Sequence, residues 1–212
     1  MKSRFWYQII MYSFLFFVIT TLFVQKNKTA PFDEFVISWV SSIQHPILTS
    51  MLIAITNIGS FLGTVIVWAI IVYVILSRKW YHEAIILTFV TFSTPIVNII
   101  IKHLFSRPRP DVNLLIEISG YSYPSGHTMY ATSLYGITLI LFWKRCKHAW
   151  QRILLLSITL IMIISIAFSR IYLGVHYPSD TIGGFFLSLL IISLTLYIYL
   201  LIQERAEQNS VE

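Results

Sequence analysis

Charge is scarce in this chain. Only 11% of its 212 residues are Asp, Glu, Lys or Arg, under half the ~25% of an ordinary soluble domain. Hydrophobic residues make up 57%, and the mean hydropathy is +0.76. A soluble fold has no means of hiding so much apolar surface, and disorder needs the opposite composition. Cysteine is nearly absent: Cys146 stands alone, which excludes an intrachain disulfide and a cysteine-based zinc site. Acids number nine against fifteen Lys and Arg, a formal charge of +6. In a soluble chain that balance would point to nucleic acid. In a membrane chain it asks which side of the bilayer each base occupies, and no nucleic-acid partner is expected. There is no internal repeat or low-complexity tract, and the length fits a single domain over 1–212.

Long apolar runs are what the chain does have. A spanning helix needs ~20 mostly apolar residues. Such runs fall at about 5–24, 60–77, 83–101, 127–143, 153–170 and 180–202. They predict an all-α polytopic membrane protein with six transmembrane helices. The first run follows Lys2 and Arg4, as a signal peptide would, but exceeds the ~7–15-residue core of one; it is read as an uncleaved span. With the N-terminus inside, nine bases fall on the inner side, four of them in the tight 144–152 loop. This positive-inside signal predicts cytoplasmic termini and a multi-pass protein of the cell membrane. The six outer bases are Lys26, Lys28, Lys102, Arg107, Arg109 and Arg170. The polar tail 203–212 is expected to fray.

Between the first two runs, Phe32, Phe35, Val36, Trp39, Val40 and Ile43 recur at helical spacing. They predict a short amphipathic helix at the outer membrane surface, with Asp33 and Glu34 near its N-terminus, the end that favours acids. It is either a wall beside a site or a simple connector. His45, next to Pro46, has no visible partner and reads as a surface residue.

Three groups at span ends carry the chemistry. The first is Lys102, six residues, then Arg109-Pro110. The second is Pro124-Ser125-Gly126-His127. The third is Ser169-Arg170, five residues, His176, three residues, then Asp180. Each follows an odd span or precedes an even one, so all three meet at one membrane face. Intramembrane and span-end charges are costly and often functional. Lys102, Arg109 and Arg170 offer three positive charges, and arginine forks match phosphate oxygens. Pro124-Ser125-Gly126 reads as a turn into a helix N-terminus, where free N–H groups favour an anion, Ser125 adds a hydroxyl and Gly126 permits close approach. Clustered acids of the kind that hold magnesium are missing, so no metal site is expected. Arg107 and His103 lie outside these groups; Arg107 is read as a headgroup-facing charge. Asn98 is expected to bond between helices.

The ordered set K-x6-RP, PSGH, SR-x5-H-x3-D resembles the type 2 phosphatidic acid phosphatase superfamily of integral-membrane lipid phosphatases. All eleven specified positions over 102–180 are present at the family spacing. The resemblance implies metal-independent hydrolysis without a cofactor, sensitive to vanadate. His176 would be the nucleophile that forms a phosphohistidine. Asp180 would orient it, and His127 would act as general acid and then as base. Lys102, Arg109, Ser125, Gly126 and Arg170 would bind the substrate phosphate. Pro178 argues against a regular helical His176–Asp180 pair, and Ser179 or Asp180 is available as a helix cap.

A site at the outer interface suits a lipid phosphate. The candidates are phosphatidylglycerol phosphate, undecaprenyl diphosphate and phosphatidic acid. The short 103–126 loop, with few extra bases for a second phosphate, favours the first. A lipid transporter or flippase with a phosphate site is the reading from another class, but neither paired broken helices nor an inverted repeat is evident. Haloperoxidase-like oxidases share similar motifs but are typically soluble.

Overall fold

The computed structural model describes residues 2–111 and 114–209. The described residues form eight helices and no strand: α1 (Lys2–Gln25), α2 (Ala30–Ser42), α3 (Pro46–Ile58), α4 (Phe61–Ser77), α5 (Tyr81–Phe105), α6 (Gly126–Trp143), α7 (Ala149–Tyr172) and α8 (Pro178–Asn209). The all-α class is as expected. Four helices, α1, α5, α7 and α8, are long and apolar enough to cross a membrane. The α3–α4 pair passes together as a fifth, bent by 59° at its break. The expected runs at 60–77 and 127–143 are indeed the helices α4 and α6, but neither qualifies alone.

The polarity of α6 has a packing reason. It lies against α5, α7 and α8, and its Thr128, Thr132 and Ser133 are buried. A helix sheltered by neighbours need not present an apolar face to lipid. Thr94 Oγ1 of α5 donates to Ser133 Oγ at 2.8 Å, one of the interhelical bonds that such positions supply. α1 runs along α8, with Phe16 stacked on Phe186.

α3 was not foreseen. Its start is nevertheless written locally: His45 is its N-cap, with Nδ1 accepting from Ile47 N at 3.3 Å, and Pro46 is its first residue. Proline at the first helical position is favourable because its missing N–H would be unpaired anyway. His45 is thus a capping residue as well as an exposed one. α3 descends beside α7. Thr49 meets Tyr172 at 3.1 Å, Thr56 meets Arg170 at 2.8 Å, and Gly59 packs on Ile166.

α2 matches the expected helical stretch, but its apolar stripe is divided. Val36 and Val40 pack with Leu52, Tyr172, Leu173 and Val175, while Phe32, Phe35 and Trp39 remain exposed. Asp33 stands in the first turn of α2, as the sequence reading has it, and is buried. α8 continues through Asn209 into the polar tail expected to fray, where Gln203 Nε2 donates to the Tyr199 hydroxyl at 2.6 Å; residues 210–212 of that tail lie outside the described residues.

Candidate active site

All three sequence groups converge at one end of the bundle, where α5 and α7 finish and α6 and α8 begin. α5 stops at Ser106, whose left-handed φ of 45° breaks the helix. Arg107-Pro108-Arg109-Pro110 follows. Each proline disfavours a helical conformation for the arginine before it, and an extended run sends residues two apart the same way. Both arginines accordingly reach the α7–α8 segment. Arg109 Nη1 donates to Val175 O at 2.7 Å and lies 3.3 Å from His176 Nε2. Its Nε donates to Gly120 O at 2.9 Å. Lys102 Nζ is turned toward the carbonyls of Tyr121 and Ser122. Burial lowers the Arg109 pKa, an effect only partly opposed by Asp180.

The loop returns to α6 through Ser122, whose N–H donates to Arg107 O at 2.8 Å. Ser125 is the N-cap of α6, its hydroxyl oxygen accepting from Thr128 N at 3.5 Å and Thr128 Oγ1 at 3.1 Å. Ser125 N donates to Asp180 O at 3.0 Å, tying α6 to α8. Gly126 faces Asn98 so closely that a Cβ would stand 3.0 Å from Asn98 Oδ1. Asn98 Nδ2 in turn donates to Pro124 O at 3.2 Å, the expected interhelical role. His127 is half-buried, stacks near Tyr130 and makes no hydrogen bond among the described residues. The positive charges of Arg170, Arg109 and Lys102 bear on it.

Arg170 and His176 occupy the α7–α8 corner. The Arg170 side chain is 1% exposed. Its Nη1 donates to Thr56 Oγ1 at 2.8 Å, while Nε and Nη2 have no partner among the described residues. Buried donors are almost always satisfied, so two orphan donor nitrogens on one buried cation leave N–H groups free to meet an acceptor. His176 is 2% exposed and Asp180 fully buried. His176 Nδ1 lies 3.4 Å from Asp180 Oδ2 and 3.3 Å from Ser122 Oγ. A carboxylate on Nδ1 selects the tautomer that leaves Nε2 unprotonated. Burial pushes the His176 imidazole down to about 3, against the pull of Asp180. His176 stands outside α8, and Asp180 reaches back as the third helical residue to accept from Tyr177 N at 2.8 Å. That is half of a capping box. Asp180 therefore caps its helix and contacts His176 at once.

Three contributors were missed. Ser122 donates to Asp180 Oδ2, and nothing in its sequence context signals this. Thr56 comes from the unforeseen α3. Asp33 comes from α2 and binds Arg107 Nη2 at 2.9 Å. Arg107 itself departs from the sequence reading: it turns inward, with Nη1 2.6 Å from Asp180 Oδ1. Burial opposes its charge, but Asp180 and Asp33 more than offset that and raise its pKa. A buried carboxylate without a partner is costly, which explains why Arg107 faces Asp180 rather than headgroups. Among the described residues no group of three or more His, Cys, Asp or Glu side chains is placed to hold a metal ion.

Residues 83–204 match the PAP2 superfamily model. Phosphatidylglycerophosphatase B of Bacillus subtilis is 30% identical over 187 residues, 85% of this chain and 90% of that protein. An undecaprenyl-diphosphatase of Sulfolobus acidocaldarius is 25% identical over 191 residues, 87% of this chain and 86% of its own. The crystal structure of a transmembrane PAP2-type phosphatidylglycerolphosphate phosphatase from B. subtilis superposes with a TM-score of 0.81 at 27% identity, covering 88% of this chain and 93% of that one. With the motifs gathered at one end of the bundle and these likenesses over most of its length, the chain is a multi-pass membrane protein and lipid phosphatase belonging to the PAP2 superfamily.

Proposed function

We propose that the chain dephosphorylates a phospholipid monoester without a metal, through a phosphohistidine on His176. The single observation that carries this is the buried Arg170 guanidinium with Nε and Nη2 unpaired, beside a neutral histidine whose Nε2 faces Arg109. A phosphate group satisfies those donors, and Arg109 and Lys102 complete the charge balance. His176 Nε2 attacks phosphorus while the P–O bond to the lipid breaks, and His127 protonates the departing oxygen. Water then attacks phosphorus, His127 takes its proton, and the N–P bond breaks to release inorganic phosphate. Asp180 stabilises the imidazolium that develops. Donors fixed where charge builds up act most strongly in the transition state.

Phosphatidylglycerol phosphate is the substrate favoured here. The relatives named phosphatidylglycerophosphatase support it, as does the small number of free bases in the loop. Undecaprenyl diphosphate is the second reading, favoured by the undecaprenyl-diphosphatase relative. The six-span layout is part of the proposal: α6 at 18 residues is about 27 Å long, close to the ~30 Å hydrocarbon core. With both termini cytoplasmic, the site opens on the extracellular face and α2 lies at that interface.

The test is phosphate release from a panel of lipid phosphates by the purified protein in EDTA. Full activity is expected in EDTA, with the highest kcat/KM on phosphatidylglycerol phosphate. His176→Ala should abolish turnover and the acid-labile phosphoenzyme. His127→Ala should trap or slow that species. Full activity in His176→Ala, or loss of activity in EDTA, would sink the mechanism.

A further inference from the structure

We propose that Arg107, held in place by Asp33, is a positioning residue for the catalytic Asp180, and that helix α2 is thereby part of the hydrolytic site. This rests on the roles given above to His176 and Asp180. Neither Arg107 nor Asp33 belongs to the three sequence motifs.

The geometry is a closed ring of bonds. Arg107 Nη1 donates to Asp180 Oδ1 at 2.6 Å and to Ser179 Oγ at 2.8 Å. Arg107 Nη2 donates to Asp33 Oδ2 at 2.9 Å. Ser179 Oγ donates to the same Asp33 oxygen at 2.6 Å, and Ser179 N donates to Asp33 Oδ1 at 2.9 Å. The face of the Tyr177 ring lies 4.0 Å from the guanidinium. The side chains of Arg107, Asp33 and Asp180 are 13%, 1% and 0% exposed. Bonds among charged groups in such a setting are short, directional and stronger than neutral ones.

Three consequences follow from this ring. Asp180 has two carboxylate oxygens, and Arg107 occupies Oδ1. The rotation of the carboxylate is thereby fixed, and Oδ2 is the oxygen presented to His176 Nδ1. Second, Asp33 satisfies the N–H of the second residue of α8, an orphan donor in any isolated helix. The cap comes from a different helix, so α2 is fastened to the turn that carries His176. Third, the ring holds two carboxylates and one guanidinium. Its net charge is negative, and it abuts the imidazole that becomes cationic on phosphorylation. A lysine cannot reproduce this, because one ammonium lacks the planar fork that reaches both acids.

The experiment measures kcat and KM in mixed micelles for Asp33→Asn, Arg107→Lys and Arg107→Leu beside His176→Ala. Turnover is expressed per site, counted by the trapped phosphoenzyme, so that misfolded molecules do not register. Per-site kcat should fall roughly tenfold in Asp33→Asn and roughly a hundredfold in Arg107→Leu, the range lost when groups supporting catalytic residues are removed. KM should stay within about twofold, because neither residue touches the phosphate. Arg107→Lys should recover part of the loss. Unchanged per-site kcat in both Asp33→Asn and Arg107→Leu, with His176→Ala inactive, overturns the positioning role alone. A rise in KM at constant kcat also overturns it, since that marks substrate binding. An active His176→Ala overturns the underlying mechanism instead.

Discussion

The two ends of the bundle use the same residue types for different purposes. At the end opposite the candidate site, Arg145 pairs with Glu83 at 2.6 Å, with side chains 43% and 23% exposed. Its guanidinium also lies 4.0 Å over the Trp80 ring. At the candidate-site end, Arg107 pairs with two acids that are almost fully buried, and Arg170 is buried with two donors unpaired. An exposed pair is worth ~0–1 kcal/mol, whereas breaking a buried one costs ~3–5 kcal/mol. The contrast teaches that burial, more than residue type, separates a charge that anchors a helix end from one that serves chemistry. Charges kept out of water at such cost are there to hold each other or to meet a ligand.

Arg170→Met should break the contrast most visibly. It removes both orphan donors and the cation, so kcat/KM should drop by roughly 10³, as when a preorganised donor is deleted from a transition-state cradle. The substrate-free protein should at the same time melt at a higher temperature. Two buried unsatisfied donor nitrogens each cost about 1–3 kcal/mol, and a methionine of similar shape carries none. Melting in detergent and lipid phosphatase assays read the two effects separately. A fall in both activity and melting temperature would mean that Arg170 is a structural cation after all.

The legible and illegible parts of the molecule divide along a physical line. α1, α5, α7 and α8 were readable because lipid demands an unbroken apolar run, which is a local property of sequence. The grouping of Lys102, Arg109, His127, Arg170, His176 and Asp180 was readable from motif spacing and from the alternation of spans. Asp33 was not. Its partners Arg107 and Ser179 lie 74 and 146 positions away, and on a short amphipathic stretch an early acid looks like an ordinary dipole-favoured residue. α3 was overlooked because its thirteen residues fall short of a span, although His45-Pro46 marks its start. Thr56 and its bond to Arg170 were lost with it. The sequence reading turned Arg107 toward headgroups, whereas the acids that hold it come from α2 and α8, remote from it in sequence.

A smaller effect sharpens the comparison through pH. Burial lowers His176 from its ordinary 6.5 to about 3, so the folded protein refuses a proton that the unfolded chain accepts. Between those values the unfolded state binds more protons, and stability falls as the pH falls. Above 6.5 both states are neutral at this residue and the penalty vanishes. Wild type should therefore lose more stability between pH 7 and pH 5 than His176→Asn, which has no proton to take up. Unfolding midpoints of the two proteins at both pH values give the answer, and equal losses would remove His176 as the source.

The smallest expected effect is at the far end. Glu83→Gln removes the acid of the exposed pair but leaves Arg145 stacked on Trp80, where a cation–π contact contributes ~0.5–1 kcal/mol. The ion pair is screened by solvent on both sides, so its loss should change stability by under about 0.5 kcal/mol. Phosphate release should be unaltered, because Glu83 starts α5 at one end and Lys102 lies in the last turn at the other. The same removal of charge at Asp33 leaves Arg107 buried with one acid fewer and loosens the turn that carries His176. A Glu83→Gln penalty as large as that of Asp33→Asn would show that the two ends do not differ in kind, and that burial is the wrong criterion for telling an anchoring charge from a working one.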